Sequence, residues 1–206
     1  MQLCERVTSQ PGAVSDGALA QRVLKGDQQA FEQLVQRYSA SLFTYICRFL
    51  TDTDAASDIL QQVWTQLYLS LPTLRTGEPL KGWLFRVAHN RCLDELRRKR
   101  AIHFSEIQAS GEQDDLSPLD LIPDTSPLPE EVAERHDVQE ILQEAIANLP
   151  PKFRAVVLLR YTAQLSFAEI AQVLQMPEAT AKTYFQRSKP LLRAALRNQF
   201  QLTAAG

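Results

Sequence analysis

Residues 54–71 read DAASDILQQVWTQLYLSL, and residues 79–100 read PLKGWLFRVAHNRCLDELRRKR. In the first stretch Ile59, Leu60, Val63, Trp64, Leu67, Tyr68 and Leu71 recur at i, i+1, i+4 and i+5, which predicts a helix with one buried stripe. Asp54, Asp58, Gln61 and Gln62 make its polar face, and Pro72 stops it. The second stretch is different. Leu80, Trp83, Leu84 and Val87 mark one face, but Phe85, Cys92 and Leu96 fall on roughly the opposite side of the same helix. Such a helix must be covered on two sides or expose aromatic surface. Arg86, Arg91, Arg97, Arg98, Lys99 and Arg100 are interleaved with these apolar residues. Cations for phosphates beside rings for bases suit single-stranded nucleic acid, although Trp83 itself reads as core.

Working outward, Ser15 or Asp16 caps a short helix carrying Leu19, Val23 and Leu24, which Gly26 ends and Asp27 restarts. Phe31, Leu34, Val35, Tyr38, Leu42, Ile46, Phe49 and Leu50 then form one helical stripe, and Thr51, Asp52 and Thr53 supply the next cap. Downstream, residues 105–129 hold four prolines, a glycine and many acids without sustained apolar period, as expected of a linker. Beyond it Val138, Ile141, Leu142, Ala145, Ile146 and Leu149 resume the helical period, closed by Pro150 and Pro151. Phe153, Val156, Val157 and Leu159 begin the next helix. Ser166 and Glu169 form a capping box, and a turn at Gln175-Met176-Pro177 leads to a basic second helix with Lys182, Thr183, Tyr184, Gln186, Arg187 and Lys189. Short helix, tight turn and basic helix form the helix-turn-helix pattern.

The chain has 206 residues, 45% hydrophobic and 22% charged, with only seven glycines. That favours an all-α fold of two small domains and leaves few residues for phosphate-cradling loops. No apolar run reaches 18 residues and no secretory leader stands at the start, so a cytoplasmic protein without membrane insertion is expected. Cys4, Cys47 and Cys92 are too scattered for a metal site, and His89, His103 and His136 accompany no paired carboxylates or nucleophile motif. No cofactor, metal, small-molecule substrate or catalytic residue is expected. Charge is segregated: residues 75–100 carry net +5, residues 101–150 net −11 and residues 151–206 net +6. Two basic blocks around an acidic one fit two separate anionic contacts, and each block alone fits a solvated helix face equally well.

Together, residues 54–100 and the stretch 149–193, LPPKFRAVVLLRYTAQLSFAEIAQVLQMPEATAKTYFQRSKPLLR, resemble the extracytoplasmic-function (ECF) sigma factors of bacterial RNA polymerase. The first block looks like that family's regions 2.2 and 2.3 and the second like its region 4. The resemblance implies a tail over 1–15, region 2 over 16–100, an acidic linker over 101–135, region 4 over 136–200 and a tail over 201–206. It implies a promoter-specificity subunit that binds the beta-prime clamp helices and beta flap of core polymerase, recognises promoter DNA and is held by an anti-sigma factor. Polymerase contacts are then expected at Asp58, Gln61, Gln62 and Trp64, with Gln62 standing where the family usually has an acid. Minus-ten contacts are expected at Arg75, Thr76, Lys81, Arg86, Asn90, Arg91, Arg97 and Arg98, with Arg91 alternatively pairing with Glu95. Minus-thirty-five contacts are expected at Lys182, Thr183, Gln186 and Arg187, with Tyr184 and Lys189 beside them and Lys152 and Arg160 near the phosphates. Tyr184 replaces the family's usual base, and Pro190 is expected to end or kink the recognition helix near Ser188. A stand-alone helix-turn-helix repressor is the competing reading, but it needs no basic and aromatic helix at 79–100. An all-helical enzyme is a third class.

Overall fold

The computed structural model describes residues 14–74, 79–110 and 141–203, with side chains described except at 102–110 and 198–203. An amino-terminal bundle comprises α1 (Asp16–Leu24), α2 (Gln28–Leu50), α3 (Thr53–Ser70), a 3-10 turn at Leu71–Thr73 and α4 (Leu80–Ser110). A carboxy-terminal bundle comprises α5 (141–147), α6 (Pro151–Tyr161), α7 (Phe167–Leu174) and α8 (Glu178–Thr203). There is no strand among the described residues. The all-α, two-domain architecture expected from the sequence is present.

Short polar side chains set the helix starts. Ser15 Oγ accepts the Ala18 amide at 3.3 Å, Asp27 the Ala30 amide at 3.1 Å and Asp52 the Ala55 amide at 2.9 Å. Ser166 and Glu169 complete the expected capping box, each accepting the other's amide, at 3.3 Å and 2.7 Å. Gly26 breaks α1 from α2 at a φ of +88°, a conformation that costs glycine little.

The core of the first bundle is aromatic. Tyr45, Phe49 and Phe85 are fully buried, with Tyr45 stacked on Phe49 at 5.8 Å and meeting Phe85 edge-on at 5.6 Å. Tyr45, absent from the predicted stripe, brings a hydroxyl that must be satisfied, and His89 satisfies it, with Nδ1 2.9 Å from Tyr45 Oη. Burial pulls the His89 pKa down to about 4, so at neutral pH the ring is uncharged and shares one hydrogen with the phenol. The sequence reading placed His89 among scattered histidines. It is core.

α4 is covered on two sides. Phe85, Ala88, His89 and Cys92 are buried toward α2 and α3, and the Gly82, Trp83 and Arg86 side packs on α7 of the second bundle. Trp83 is half-buried, in keeping with its reading as core. The helix also runs on to Ser110 rather than ending near Arg100. Lys99, near the end of the basic run, pairs with the Asp52 carboxylate that caps α3, which pins α4 against the first bundle.

In the second bundle Ala155 to Leu159 are buried one after another, because α6 is surrounded by α7, α8 and, across the domain boundary, α2. Arg154 makes that crossing. Its Nη1 donates to the Phe49 carbonyl at 2.8 Å, and its Nη2 donates to the carbonyls of Ala147 and, at 3.2 Å, Leu149. Its guanidinium lies 5.8 Å from the centre of the Phe49 ring.

Pro190 does not end the recognition helix, contrary to expectation: α8 continues through it to Thr203. The amide that proline lacks belongs to the carbonyl of Gln186, an exposed residue whose carbonyl water can satisfy. Phe185, Ser188 and Leu192 pack toward the bundle on both sides of the proline and hold the helix on course.

A buried histidine with a depressed pKa binds its proton more readily in the unfolded chain, so stability is full above the ordinary value of about 6.5 and falls as pH drops toward about 4. Denaturant titrations at several pH values are expected to show a loss of up to about 3 kcal/mol across that interval. His89→Gln should flatten it.

Candidate nucleic-acid and protein interface

The exposed face of α3 carries Asp58, Gln61 and Gln62, while Ala56, Ile59, Val63 and Leu67 are buried on its other side. The face continues into apolar residues that the sequence reading did not place there. Tyr68 and Leu69 are 62% and 68% exposed. Spacing puts Tyr68 in the buried stripe, but the structure places it at the stripe's exposed edge. It meets Phe31 of α2 edge-on at 5.8 Å and otherwise faces solvent. An exposed ring and an exposed leucine after a run of acid and amides make a surface fitted to a protein partner. Trp64 is not free on that face: it is half-buried, edge-on to Phe31 at 6.3 Å, with its Nε1 buried and unpaired among the described residues.

Of the residues expected at the minus-ten contact, Arg75 and Thr76 lie outside the described residues. Lys81, Arg86 and Arg91 are half-buried on α4, and Asn90, Arg97 and Arg98 are exposed. Arg97 pairs with Asp94 at 3.1 Å, and Arg98 holds Glu95 in a two-point contact at 2.7 and 2.8 Å. Glu95 is thus engaged by Arg98, which holds its carboxyl below the usual range, rather than by Arg91. Pairs this exposed contribute about 0–1 kcal/mol, so phosphates can displace the carboxylates with little loss.

In the second bundle α7, the turn at 175–177 and α8 form the helix-turn-helix. Gln175 adopts the left-handed conformation that closes α7, and the Pro177 carbonyl accepts the Thr180 amide at 2.9 Å to open α8. Burial of Ala181, Phe185 and Ser188 orients the helix, leaving Lys182, Thr183, Gln186 and Arg187 exposed on one face. Lys182 is paired with Glu178 one turn earlier at 2.7 Å. Tyr184 sits to the side, half-buried and edge-on to Phe153 at 5.2 Å, where it braces α8 against α6. Lys189 lies 5.0 Å over the Phe185 ring.

Lys152 is exposed, but Arg160 works inside the domain. Its Nη1 donates to the Leu165 carbonyl at 2.8 Å, and its guanidinium stacks 5.2 Å from the Phe167 ring. It ties the end of α6 to the start of α7. No group of three or more His, Cys, Asp or Glu side chains among the described residues could hold a metal ion, and no described helix is long and apolar enough to cross a membrane.

The family model described as Sigma-70 region 2 matches residues 19–102, and that described as Sigma-70 region 4 matches residues 139–191. The chain is 30% identical to the ECF RNA polymerase sigma factor SigW of Bacillus subtilis, over 86% of this chain and 94% of that protein. It is 28% identical to the ECF RNA polymerase sigma-E factor of Escherichia coli K12, over 91% and 95%. Among solved structures, CnrH in complex with the cytosolic domain of CnrY is similar with a TM-score of 0.65 and 21% identity, covering 89% of this chain and 97% of that one. The sigma factor RpoE of Bartonella quintana, in complex with the anti-sigma factor NepR, is similar with a TM-score of 0.62 and 18% identity, covering 81% and 96%. These likenesses establish the fold.

Arg160→Ala is expected to lower the stability of the second bundle by about 1–3 kcal/mol, because a buried carbonyl loses its charged donor. Its effect on DNA affinity should keep the salt dependence of the unsubstituted protein, as measured by binding titrations at several salt concentrations.

Proposed function

The chain belongs to the ECF sigma factors of the sigma-70 family, and from that premise we propose how its residues divide the work of directing core RNA polymerase to promoters and starting transcription. The observation that carries this reading is the presence of both regions in one chain, in order. A repressor needs only the second. In this reading the protein is a cytoplasmic specificity subunit without catalysis of its own.

The α3 face of Asp58, Gln61 and Gln62, extended by Tyr68 and Leu69, is the polymerase-docking surface, with Trp64 holding it from beneath. Gln62 supplies an amide where the family usually has a carboxylate, so one charge-assisted contact is replaced by a neutral one. Lys81, Arg86, Asn90, Arg91, Arg97 and Arg98, with Arg75 and Thr76 in the preceding loop, serve the opened minus-ten strand. Cations there neutralise phosphate while a base is drawn out of the stack, at a cost of a few kcal/mol that the protein must offset. The exposed face of α8 enters the major groove at the minus-thirty-five element. Lys182 and Arg187 are long donors suited to guanine edges or phosphate, and Thr183 and Gln186 are shorter polar readers. Tyr184 braces the helix in place of a contact. One relative in the fold comparison, RpoE of Bartonella quintana, was solved with the anti-sigma factor NepR, which supports an anti-sigma protein as the regulator of this chain, docking on the same α3 and helix-turn-helix faces.

Run-off transcription from fragmented genomic DNA, with core polymerase alone and with this protein added, tests the reading. Discrete transcripts that require both components are expected. Their absence, together with failure to comigrate with core polymerase, would favour the repressor. Lys182→Ala and Arg187→Ala should each weaken minus-thirty-five binding by about 1–3 kcal/mol, read from footprint titrations. Replacing Arg97 and Arg98 together with alanine should lower transcription and flatten its dependence on salt, since fewer counterions are released. A salt slope equal to that of the unsubstituted protein would return this block to solvated surface.

A further inference from the structure

We propose that Glu178 is a specificity-determining residue of the minus-thirty-five contact, and that Glu178 and Lys182 act as one unit that reads a base pair by the order of its keto and amino groups, G·C first and T·A second. The inference rests on the functional reading above and adds to it a residue, a base-pair preference and a strand sense.

Glu178 opens α8 and Lys182 follows one turn later, with Lys182 Nζ 2.7 Å from Glu178 Oε1. Both side chains are exposed. They are the only charged residues in the first two turns of α8, the part of a recognition helix that reaches base edges. Thr183, beside them, gives its hydroxyl hydrogen to the Ala179 carbonyl at 2.8 Å and offers a base only its lone pairs and methyl group. An acid one turn ahead of a lysine also steadies a helix start. That role fixes no base preference, and it leaves a carboxylate facing a polyanion, which weakens binding to any DNA.

The pair carries its own complement. In the major groove a G·C pair shows the acceptors N7 and O6 of guanine and then the N4 amino donor of cytosine. O6 and N4 are bonded to each other across the pair and stand about 2.9 Å apart. That is close to the 2.7 Å between the lysine nitrogen and the glutamate oxygen. Donor and acceptor on the protein thus match acceptor and donor on the bases in order and spacing: Nζ gives a hydrogen to O6 while the carboxylate accepts one from N4. T·A keeps the order, with O4 of thymine and N6 of adenine, but it replaces guanine N7 by a methyl group and sets adenine N7, an acceptor, beside the carboxylate. C·G and A·T reverse the order. Ammonium then meets an amino group, the carboxylate meets a keto oxygen, and both contacts turn repulsive. On DNA that lacks the base pair the exposed ion pair opens at little cost and Lys182 turns to phosphate, so the closed unit is kept only where the bases support it.

The test uses the full chain with core polymerase on a promoter found by run-off transcription, remade with each of the four base pairs at every minus-thirty-five position and compared by competition footprinting. At one position the unsubstituted protein is expected to rank G·C first and T·A second, with C·G and A·T weaker than G·C by about tenfold or more. Glu178→Ala should cut that spread to about threefold or less, because a lone lysine reaches a purine N7 or a keto oxygen on either strand. It should also tighten binding to DNA without the element by about twofold, since an acid has left the DNA face. Glu178→Gln is expected to lose the same spread, because an amide turned over donates as well as it accepts. Lys182→Ala should act at the same position, and the double substitution Glu178→Ala with Lys182→Ala should cost little more preference than either alone. Base preferences that are the same in the Glu178 variants and the unsubstituted protein, a Glu178-sensitive position that ranks C·G or A·T first, or Glu178 and Lys182 effects that simply add would each overturn the proposal while a Lys182 effect leaves the recognition-helix reading standing. Failure of every promoter to respond to Lys182→Ala, or of the unsubstituted chain to footprint with core polymerase at all, overturns that reading and the proposal with it.

Discussion

A helix that is apolar on two sides has to be covered on two sides, and α4 imposes that condition on the whole chain. Its Phe85 and Cys92 side completes the aromatic core built on Tyr45 and Phe49. Its Trp83 side has no partner within the first bundle and takes α7 instead. The element richest in nucleic-acid-binding residue types is thereby the hinge of the architecture. Burying Trp83 against α7 stabilises the contact between the two bundles.

Arg154 shows how a charge can serve that architecture. A guanidinium stays protonated in a protein even when burial lowers its pKa, so it needs acceptors, and it finds them in main-chain carbonyls near two helix ends. Those carbonyls lack helical partners and carry the negative end of the helix dipole, which makes them suited to a cation. One side chain thus closes α5 within its own bundle and touches α2 in the other. Lys99 on Asp52 and Arg160 on Leu165 follow the same pattern, in which bases that composition alone would assign to phosphate are spent on helix ends.

Much of this was legible beforehand, for physical reasons that can be named. Periodicity is a local property, so the stripes of α2 and α3 and the Ser166–Glu169 box could be read from spacing alone, whereas the quartet of α8 came from the family resemblance. The two-sided α4 announced that something must cover it, but what covers it depends on contacts between residues some ninety positions apart in sequence, which no window reveals. Tyr68 was misplaced because a stripe's edge and its centre look alike in residue type, and only the packing of neighbours decides which ring is covered. Pro190 misled because the rule about proline concerns an isolated helix, whereas here buried residues before and after it keep α8 continuous. The minus-ten loop at 75–78 lies outside the described residues, so its expected contacts rest on family resemblance.

The paired state of the basic residues bears on how such a protein discriminates between DNA and itself. Arg97, Arg98 and Lys182 all hold carboxylates of their own helix, three or four residues away. These exposed pairs cost little to break, so under the proposed division of roles phosphate can take the place of the carboxylates. Exchange of an intrahelical carboxylate for a phosphate leaves the number of ionic contacts the same, so the favourable term is the release of counterions from DNA rather than a new attraction. Arg154 and Arg160 cannot make that exchange, because a buried carbonyl would be left without its donor. The difference between a base that reads DNA and one that builds the fold therefore lies in what its partner loses when the base departs, and the accessibility of that partner decides it.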